Sequence, residues 1–564
     1  MRRRVSLGLS ALAIWFLSAV LLPAVAVGQA RISFVQQAPT AAEAAESAPA
    51  LLPGAPEVGS LLERGQSLEG ERRWGEALTW YEDALRQFPA AHDLEARQQI
   101  SRMHYELGRR YNDASFRRTV TTMSSRDALD LYTEVLLKIQ SHYVDAPDWK
   151  RIVDHSTQSF DVALSDPVFV EHHLPRTPQA QIERFRRDLP GRMAGYQVST
   201  RHAARDAVTA VARWSREQLG MTDASVILEY TCGATTSLDP YSTFLTADQL
   251  NEVYSQIEGN FVGLGIELKA ADGALSIVKV ISGSPAEKSG IVAGDRIVAV
   301  GGKWTSELST DQAANLLQGT EGTVADVTIE SPGRPTRNVR VRREHIEVPS
   351  IDGVRIVNRD SGIAYLKLTC FQKTTSADLD QALRNLNAQG MKSLIIDLRG
   401  NPGGLLATSV EVVDKFVERG PIVSTRGRSP QEDYQYSAHE AGTWRVPLAV
   451  LIDGDSASAS EIFAGAIRDY RRGKIVGTRS YGKGSVQGIF PLARANSGLR
   501  LTTAKFYSPH NRAFSGVGVE PDLVVRQAAK PVLDAAGAPL PAAEQPDAVL
   551  EAAMRALADQ TAQR

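Results

Sequence analysis

Apolar residues along this chain change their spacing several times, and each change marks a new kind of structure. Val5 to Val27 is an uncharged, mainly apolar run long enough to cross a bilayer. Further on, Leu129, Tyr132, Val135, Leu136 and Ile139 recur every three or four positions, which predicts a helix over Arg126 to Tyr143. Another helix is expected around Leu94 to Tyr111, and more over Thr177 to Leu219, with arginines on the exposed face and an interruption at Pro190-Gly191. A turn centred on Asp239-Pro240 closes this helical part. From Asn260 to about Arg343, short β-branched strands alternate with glycine turns, the pattern of a small half-open barrel. Strands Gly362–Leu368, Ser393–Asp397 and Leu448–Ile452 then alternate with helices Ser376–Asn387, Ser409–Val417 and Ser460–Tyr470, predicting a mostly parallel α/β core. After Asp522 the chain turns Ala/Pro-rich, with one terminal helix from Asp547 to Leu557.

At 564 residues, three or four domains are expected. A hydrophobic content of 43% and a charged content of 23% are ordinary for globular protein. A net charge of −2 gives no reason to expect nucleic acid as a partner. Cys232 and Cys370 are too few for a disulfide framework and lack metal-ligand spacing, so two buried thiols are expected, with a single bridge as the alternative. Arg2 to Arg4 before the first apolar run read as an export signal, with Ala24-Val-Ala26 or Gly28-Gln-Ala30 suiting a signal peptidase. Retention of that run as an N-terminal membrane anchor remains the alternative. Either way the bulk of the chain is expected outside the cytoplasm, periplasmic or anchored facing the periplasm. Gln36 to Pro56 reads as a flexible spacer.

Two segments carry candidate chemistry. Ser456-Ala-Ser-Ala-Ser-Glu461 puts a hydroxyl where small residues meet a helix, and Tyr481-Gly-Lys-Gly-Ser-Val-Gln487 holds one lysine between glycines. With Ser458 as nucleophile, a strand returning over Lys474 to Thr478 can bring Lys483 back as a neutral general base. The Ala459 N–H at the helix start suits a developing oxyanion, and Gly403 or Gly404 in Asp397-Leu-Arg-Gly-Asn-Pro-Gly-Gly404 can offer the second donor. Gln487, four residues past the lysine, can orient it, while Asp469 is read as a structural anchor. Taken alone, the first segment also reads as a small-residue turn and the second as a surface loop. In Phe261-Val-Gly-Leu-Gly-Ile-Glu-Leu268 a glycine turn aims successive backbone N–H groups at one point, a nest for a carboxylate. Leu264, Gly265 and Ile266 belong to that turn, the strand that follows through Leu268 has an open edge for an extended peptide, and helix Ser309–Leu317 supplies an apolar groove wall.

With Gly283-Ser-Pro-Ala-Glu-Lys-Ser-Gly290 and Ile291-Val-Ala-Gly-Asp-Arg-Ile297, this stretch resembles a PDZ domain of the bacterial protease type. Gly65, Ala77, Tyr81, Ala84 and Pro89 match the spacing of one tetratricopeptide-type helix pair, where a protein adaptor is one conceivable partner. The Asn-Pro-Gly-Gly turn, the Ser-Ala-Ser-Ala-Ser-Glu segment and Gly-Lys-Gly-Ser-Val-Gln, in this order, resemble the C-terminal processing peptidases, or tail-specific proteases, of peptidase family S41. Leu238-Asp-Pro-Tyr-Ser-Thr-Phe-Leu245 and Leu501-Thr-Thr-Ala-Lys-Phe-Tyr-Ser-Pro509 extend the similarity, which runs from about Leu129 to Val525 around a poorly matching insert between Asp145 and about Leu219.

The resemblance implies a crotonase-like α/β protease core with an inserted PDZ domain, here preceded by a helical region. It makes Ser458 the nucleophile, Lys483 the general base and Gln487 its support, with backbone groups near Gly403 and at Ala459 for the oxyanion. It implies a serine endopeptidase without cofactor or metal, cutting exported proteins near free, apolar C-termini. The expected divisions are 1–30 signal or anchor, 31–58 linker, 59–115 tetratricopeptide-like, 116–245 helical, 246–345 PDZ, 346–525 protease core and 526–564 tail. Two departures stand out: Tyr241 where relatives usually have histidine, read as structural, and Asn511 for a common glycine, which tolerates the same left-handed backbone. A histidine triad is disfavoured because only His439 and His510 lie within the core section and neither is in a nucleophile motif, and no His-Glu-x-x-His zinc motif occurs. The rival from another class is a catalytically silent PDZ and helical scaffold that binds peptides.

Overall fold

The computed structural model describes residues 58–271, 274–307, 316–317, 319, 321–526 and 547–562. The expected export segment, most of the linker and most of the tail lie outside these residues. Among the described residues, no helix is long and apolar enough to cross a membrane.

Helices Val58–Gly70 and Trp74–Gln87 form the hairpin that the small-residue spacing predicts, closed around Leu68, Ala77, Tyr81 and Ala84. Tyr81 fills the space a side chain on residue 65 would take, and its hydroxyl donates to the buried Glu69 carboxylate at 2.9 Å. Helix His92–Asn112 caps the pair by adding Leu94 to the cluster. The same helix is tied to the rest of the chain by the buried ion pair between Arg110 and Glu229, to which Tyr111 Oη also donates at 3.0 Å.

The insert from 145 to 219 is no appendage. Its helices Trp149–Ser165, Gln179–Ala194 and Arg201–Leu219 share one apolar core with Ser125–His142, with Asp223–Thr236, and with Leu492, Leu499 and Leu501 from the C-terminal α/β part. Pro190 does not interrupt the chain as expected; it sits inside Gln179–Ala194, one turn from that helix's end. There its ring is exposed, and the one lost hydrogen bond falls where the helix is finishing.

The C-terminal α/β core has two sheets. In the first, strands are ordered Ile351–Asn358, Ile363–Leu368, Ser393–Asp397, Leu448–Ile452, Lys474–Gly477 and Leu523–Val524, parallel except for the first pair. Ser393–Asp397 and Leu448–Ile452 are buried at every residue because both faces are covered, so they show no alternation. Helices Thr375–Ala388, Leu406–Asp414 and Ala459–Asp469 cover one face. The terminal helix, Ala548–Ala562, covers the other, packing Val549, Ala552, Ala553 and Leu557 on Ile395, Leu451 and Val476. Arg399 pins its start by joining Asp397 and Asp547, each at 2.7 Å. The second sheet is antiparallel and was not anticipated: Gly498–Tyr507 lies between Thr243–Leu245, Ser485–Pro491 and Gly420–Gly427, with Tyr434–Ala438 beyond the last.

The barrel has strands Ile266–Ala271, Ala274–Val280, Arg296–Val300, Val324–Glu330 and Arg337–Arg342 around its own core, including Leu264, Ile266, Leu268 and Val327. Asn260–Gly263 and Glu344–Glu347 pair as the two strands by which the chain enters and leaves it. Of the expected helix Ser309–Leu317, only Leu316 and Leu317 are among the described residues. Neither cysteine is in a disulfide among the described residues; Cys232 is buried, whereas Cys370 is only partly so.

Because Leu557 is fully buried against the sheet, Leu557→Ala should cost about 2–5 kcal/mol. A lowered urea midpoint, with hydrogen exchange rising first in the terminal helix, is the expected result.

Candidate active site

Ser456 and Ser458 lie in the turn between strand Leu448–Ile452 and helix Ala459–Asp469, and Ser460 is the second residue of that helix. All three are buried, but their hydroxyls differ. Ser456 Oγ donates to Leu398 O at 2.9 Å and Ser460 Oγ to Asn401 O at 2.9 Å, so both fasten this turn to the 397–404 turn. Ser458 Oγ meets no hydrogen-bond partner among the described residues. Ser458 also has φ 57° and ψ −112°, a backbone state that costs a non-glycine residue roughly 1–3 kcal/mol.

Glu461 follows three residues later and is fully buried. Its Oε2 accepts from the N–H of Ser458 at 2.8 Å and of Lys483 at 2.9 Å. Its Oε1 accepts from Gly482 N at 2.7 Å and Ser480 Oγ at 2.6 Å. One carboxylate thus joins the serine turn to the lysine loop, with both backbone nitrogens on a single oxygen. Burial pushes the Glu461 carboxyl up from its ordinary value, against the pull of these four donors. The spacing Ser458-x-x-Glu461 is a capping-box signature that was readable in sequence; the contacts with Gly482 and Lys483 were not.

Lys483 is fully buried, and burial holds its amine well below the usual lysine value. The Arg500 guanidinium lowers it further, while Glu461 and Asp239 act in the opposite direction. Its Nζ lies 4.8 Å from the ring centroid of Tyr241, so the tyrosine found in place of histidine touches the candidate base. Gln487 is buried nearby in chain order; its Nε2 donates to Ser485 Oγ at 2.9 Å, and its Oε1 has no partner among the described residues.

Gly403 and Gly404 have φ of 102° and 144°, and a Cβ on Gly403 would come within 2.8 Å of Ser458 Cβ. No side chain fits there, so the turn can lie directly on the serine. The Gly403 N–H donates to Asn401 Oδ1 at 2.8 Å, and Asn401 Nδ2 to Leu368 O at 2.9 Å. Ala459 N makes no backbone hydrogen bond among the described residues. Asp469 pairs with Arg512 and accepts from His510 N at 3.0 Å, an anchoring role. Asn511 has φ 59°, the left-handed state expected of it. Among the described residues, no three His, Cys, Asp or Glu side chains come together as metal ligands.

Residues 362–525 match "Peptidase family S41", and residues 276–331 match "PDZ domain". A "Carboxy-terminal-processing protease" of Bartonella bacilliformis is 39% identical over 302 residues, covering 52% of this chain and 68% of that protein. The chain belongs to peptidase family S41. It is therefore a serine-type peptidase of the carboxy-terminal-processing group, with a PDZ domain. A "Probable CtpA-like serine protease" of Staphylococcus aureus is 30% identical over 289 residues, covering 51% of this chain and 57% of that protein. Among solved structures, a photosystem II D1 C-terminal processing protease aligns at 25% identity over 73% of this chain and 95% of its own, with a TM-score of 0.39. Family membership rests on the sequence matches.

Removing the Glu461 carboxylate would leave four donors unmatched, three of them backbone N–H groups. Glu461→Ala should lower stability by about 3 kcal/mol or more and abolish peptidase activity. Ser458→Gly, which relieves the backbone strain, should raise stability by about 1 kcal/mol while also abolishing activity. Denaturation midpoints of both variants beside the parent check these opposite signs.

Proposed function

We propose that this S41 peptidase cleaves exported proteins near their C-termini with a Ser458–Lys483 dyad. The observation that carries the reading is the difference among three neighbouring serines: Ser456 and Ser460 are committed to backbone carbonyls, and Ser458 alone keeps an unpartnered, buried hydroxyl beside a buried lysine loop. Neutral Lys483 accepts the Ser458 proton as Oγ attacks the scissile carbonyl carbon. The carbonyl oxygen becomes an oxyanion facing Ala459 N–H at the helix start. The lysine ammonium then protonates the departing amine as the peptide C–N bond breaks. Water, losing a proton to Lys483, attacks the acyl-enzyme ester; collapse expels Ser458 Oγ, which regains its proton from the lysine. Gln487, with an open amide oxygen, orients the lysine.

Gly403 is the second oxyanion donor in this reading, which requires its N–H to leave Asn401 Oδ1. Gly404 is the alternative donor in the same turn.

Substrate recognition is assigned to the PDZ domain. Leu264 O accepts from Ala286 N at 2.9 Å and Gly265 O from Ile281 N at 2.9 Å, which directs these carbonyls into the domain. Gly265 has φ 81°, a turn conformation that supports a nest of N–H groups on the opposite side for a free carboxylate. Strand Ile266–Ala271 is at the sheet edge, where an extended peptide can add main-chain hydrogen bonds. The N-terminal run with Arg2 to Arg4 supports work outside the cytoplasm.

Ser458→Ala and Lys483→Ala should each reduce cleavage of a peptide with an apolar free C-terminus by a factor of ~10⁴ or more. Activity surviving in either variant would overturn the dyad, and an inactive parent would favour the scaffold reading. The base works only when neutral, so kcat/KM should rise with pH, and its lowered value puts the plateau well below the ~10.4 of free lysine. Amidating the peptide C-terminus should weaken binding to the PDZ domain by ~10-fold or more, the loss of a charge-assisted contact; equal affinity in a titration would contradict the assigned nest.

A further inference from the structure

The turn Asp239-Pro240-Tyr241-Ser242 is held with more bonds than a connecting loop needs. Asp239 Oδ1 accepts from Tyr241 N at 2.7 Å and Ser242 N at 2.9 Å, and Oδ2 from Ser242 Oγ at 2.8 Å. Tyr241 O accepts from Arg500 Nε at 3.0 Å, and Ser242 Oγ from Thr502 N at 3.2 Å. Both partners lie on strand Gly498–Tyr507, which also pairs with the strand that leads away from Lys483. The backbone of Tyr241 is therefore fixed relative to the lysine, and its ring ends 4.8 Å from Nζ. Burial, together with Tyr481, a half-exposed residue two positions before Lys483, pushes the Tyr241 hydroxyl up from its ordinary value.

We propose that Tyr241 is a positioning residue for the general base, its ring fixing the Lys483 amine and closing it off from solvent. This rests on the dyad reading and names what keeps its base dry. Two effects of the ring compete. Its π face attracts the ammonium form, whereas its bulk excludes the water that would stabilise that form. Burial as a whole is the largest cause of the lysine's depression, ahead of every charge around it, and the ring is part of what covers the amine; on this proposal its exclusion of water outweighs its attraction. The charged and titratable groups acting on the amine are Arg500 on the antiparallel strand, Glu461 on the helix after Ser458, and Asp239 in the tyrosine's own turn. Tyr481 faces the tyrosine from the lysine loop.

The test uses Tyr241→Ala, Tyr241→His and Tyr241→Phe. In otherwise active protein, Tyr241→Ala should lose ~10-fold or more in kcat/KM on the rising limb of the pH profile and recover much of it at high pH, about one decade per unit of displacement. Tyr241→His, a smaller ring that itself binds water, should move the limb the same way and serves if the alanine variant does not fold. Tyr241→Phe should stay within about 2-fold of the parent, since the ring remains. The titration of the Lys483 ε-methylene NMR resonance, followed in a Ser458→Ala background, should move towards alkaline pH with alanine and not with phenylalanine. This second readout needs no turnover, so it separates failure of the tyrosine's role from failure of the dyad. An unmoved titration in both Tyr241→Ala and Tyr241→His would overturn the proposal, as would a phenylalanine variant that shifts as far as alanine.

Discussion

The site depends on one buried carboxylate bridging two pieces of chain. Glu461 receives hydrogen bonds from Ser458, Ser480, Gly482 and Lys483. An ionised group this deep is costly unless every lone pair is engaged, and here four donors engage it. The same arrangement forbids slack. If the lysine loop shifted, buried N–H groups and a buried charge would lose their partners together. The strained backbone of Ser458 is held in place by this network, which explains how a serine can occupy a conformation that glycine would adopt freely.

Two sheets deliver the serine and the lysine of the proposed dyad. The parallel sheet ends in the turns at 397–404 and 453–458, which are interlocked through Asn401, Asp453, Ser456 and Ser460. The antiparallel sheet carries the strand following Lys483, and its central strand also holds the Tyr241 turn. Behind that strand stands the helical region, whose apolar core takes in Leu499 and Leu501. A buried amine is thereby surrounded by elements from distant parts of the chain, and water is kept out by packing rather than by any one residue's charge. Arg500, itself lowered to about 10 mainly by burial, adds a positive field on the same amine.

Much of this was legible before any coordinates. Strands Ser393–Asp397 and Leu448–Ile452 fell where their apolar runs put them, and the hairpin around Tyr81 followed from its small residues. The antiparallel sheet was missed because Gly498–Tyr507 is buried almost throughout without alternation and includes Arg500 and Lys505, so it has no period of two. The helix Asp223–Thr236 hides for a related reason: buried on nearly all sides, it has no polar face. The terminal helix looked like part of a tail because its contact face is partly alanine, Ala552 and Ala553, and only the facing sheet gives those residues meaning. Glu461 and Tyr241 stood within quoted motifs, but their contacts join segments remote in sequence. Pattern along one strand or helix cannot report such contacts.

The central claim is that Glu461 brings a serine hydroxyl and an uncharged lysine together as one catalytic unit. The most direct measurement is a crystal structure of the protein with a peptidyl boronate bound at the site. The expected result is a covalent bond from boron to Ser458 Oγ, Lys483 Nζ about 3 Å from that oxygen, and Glu461 still accepting from the N–H groups of both residues. A boronate bonded elsewhere, or Lys483 turned away with another side chain against Ser458 Oγ, would contradict it.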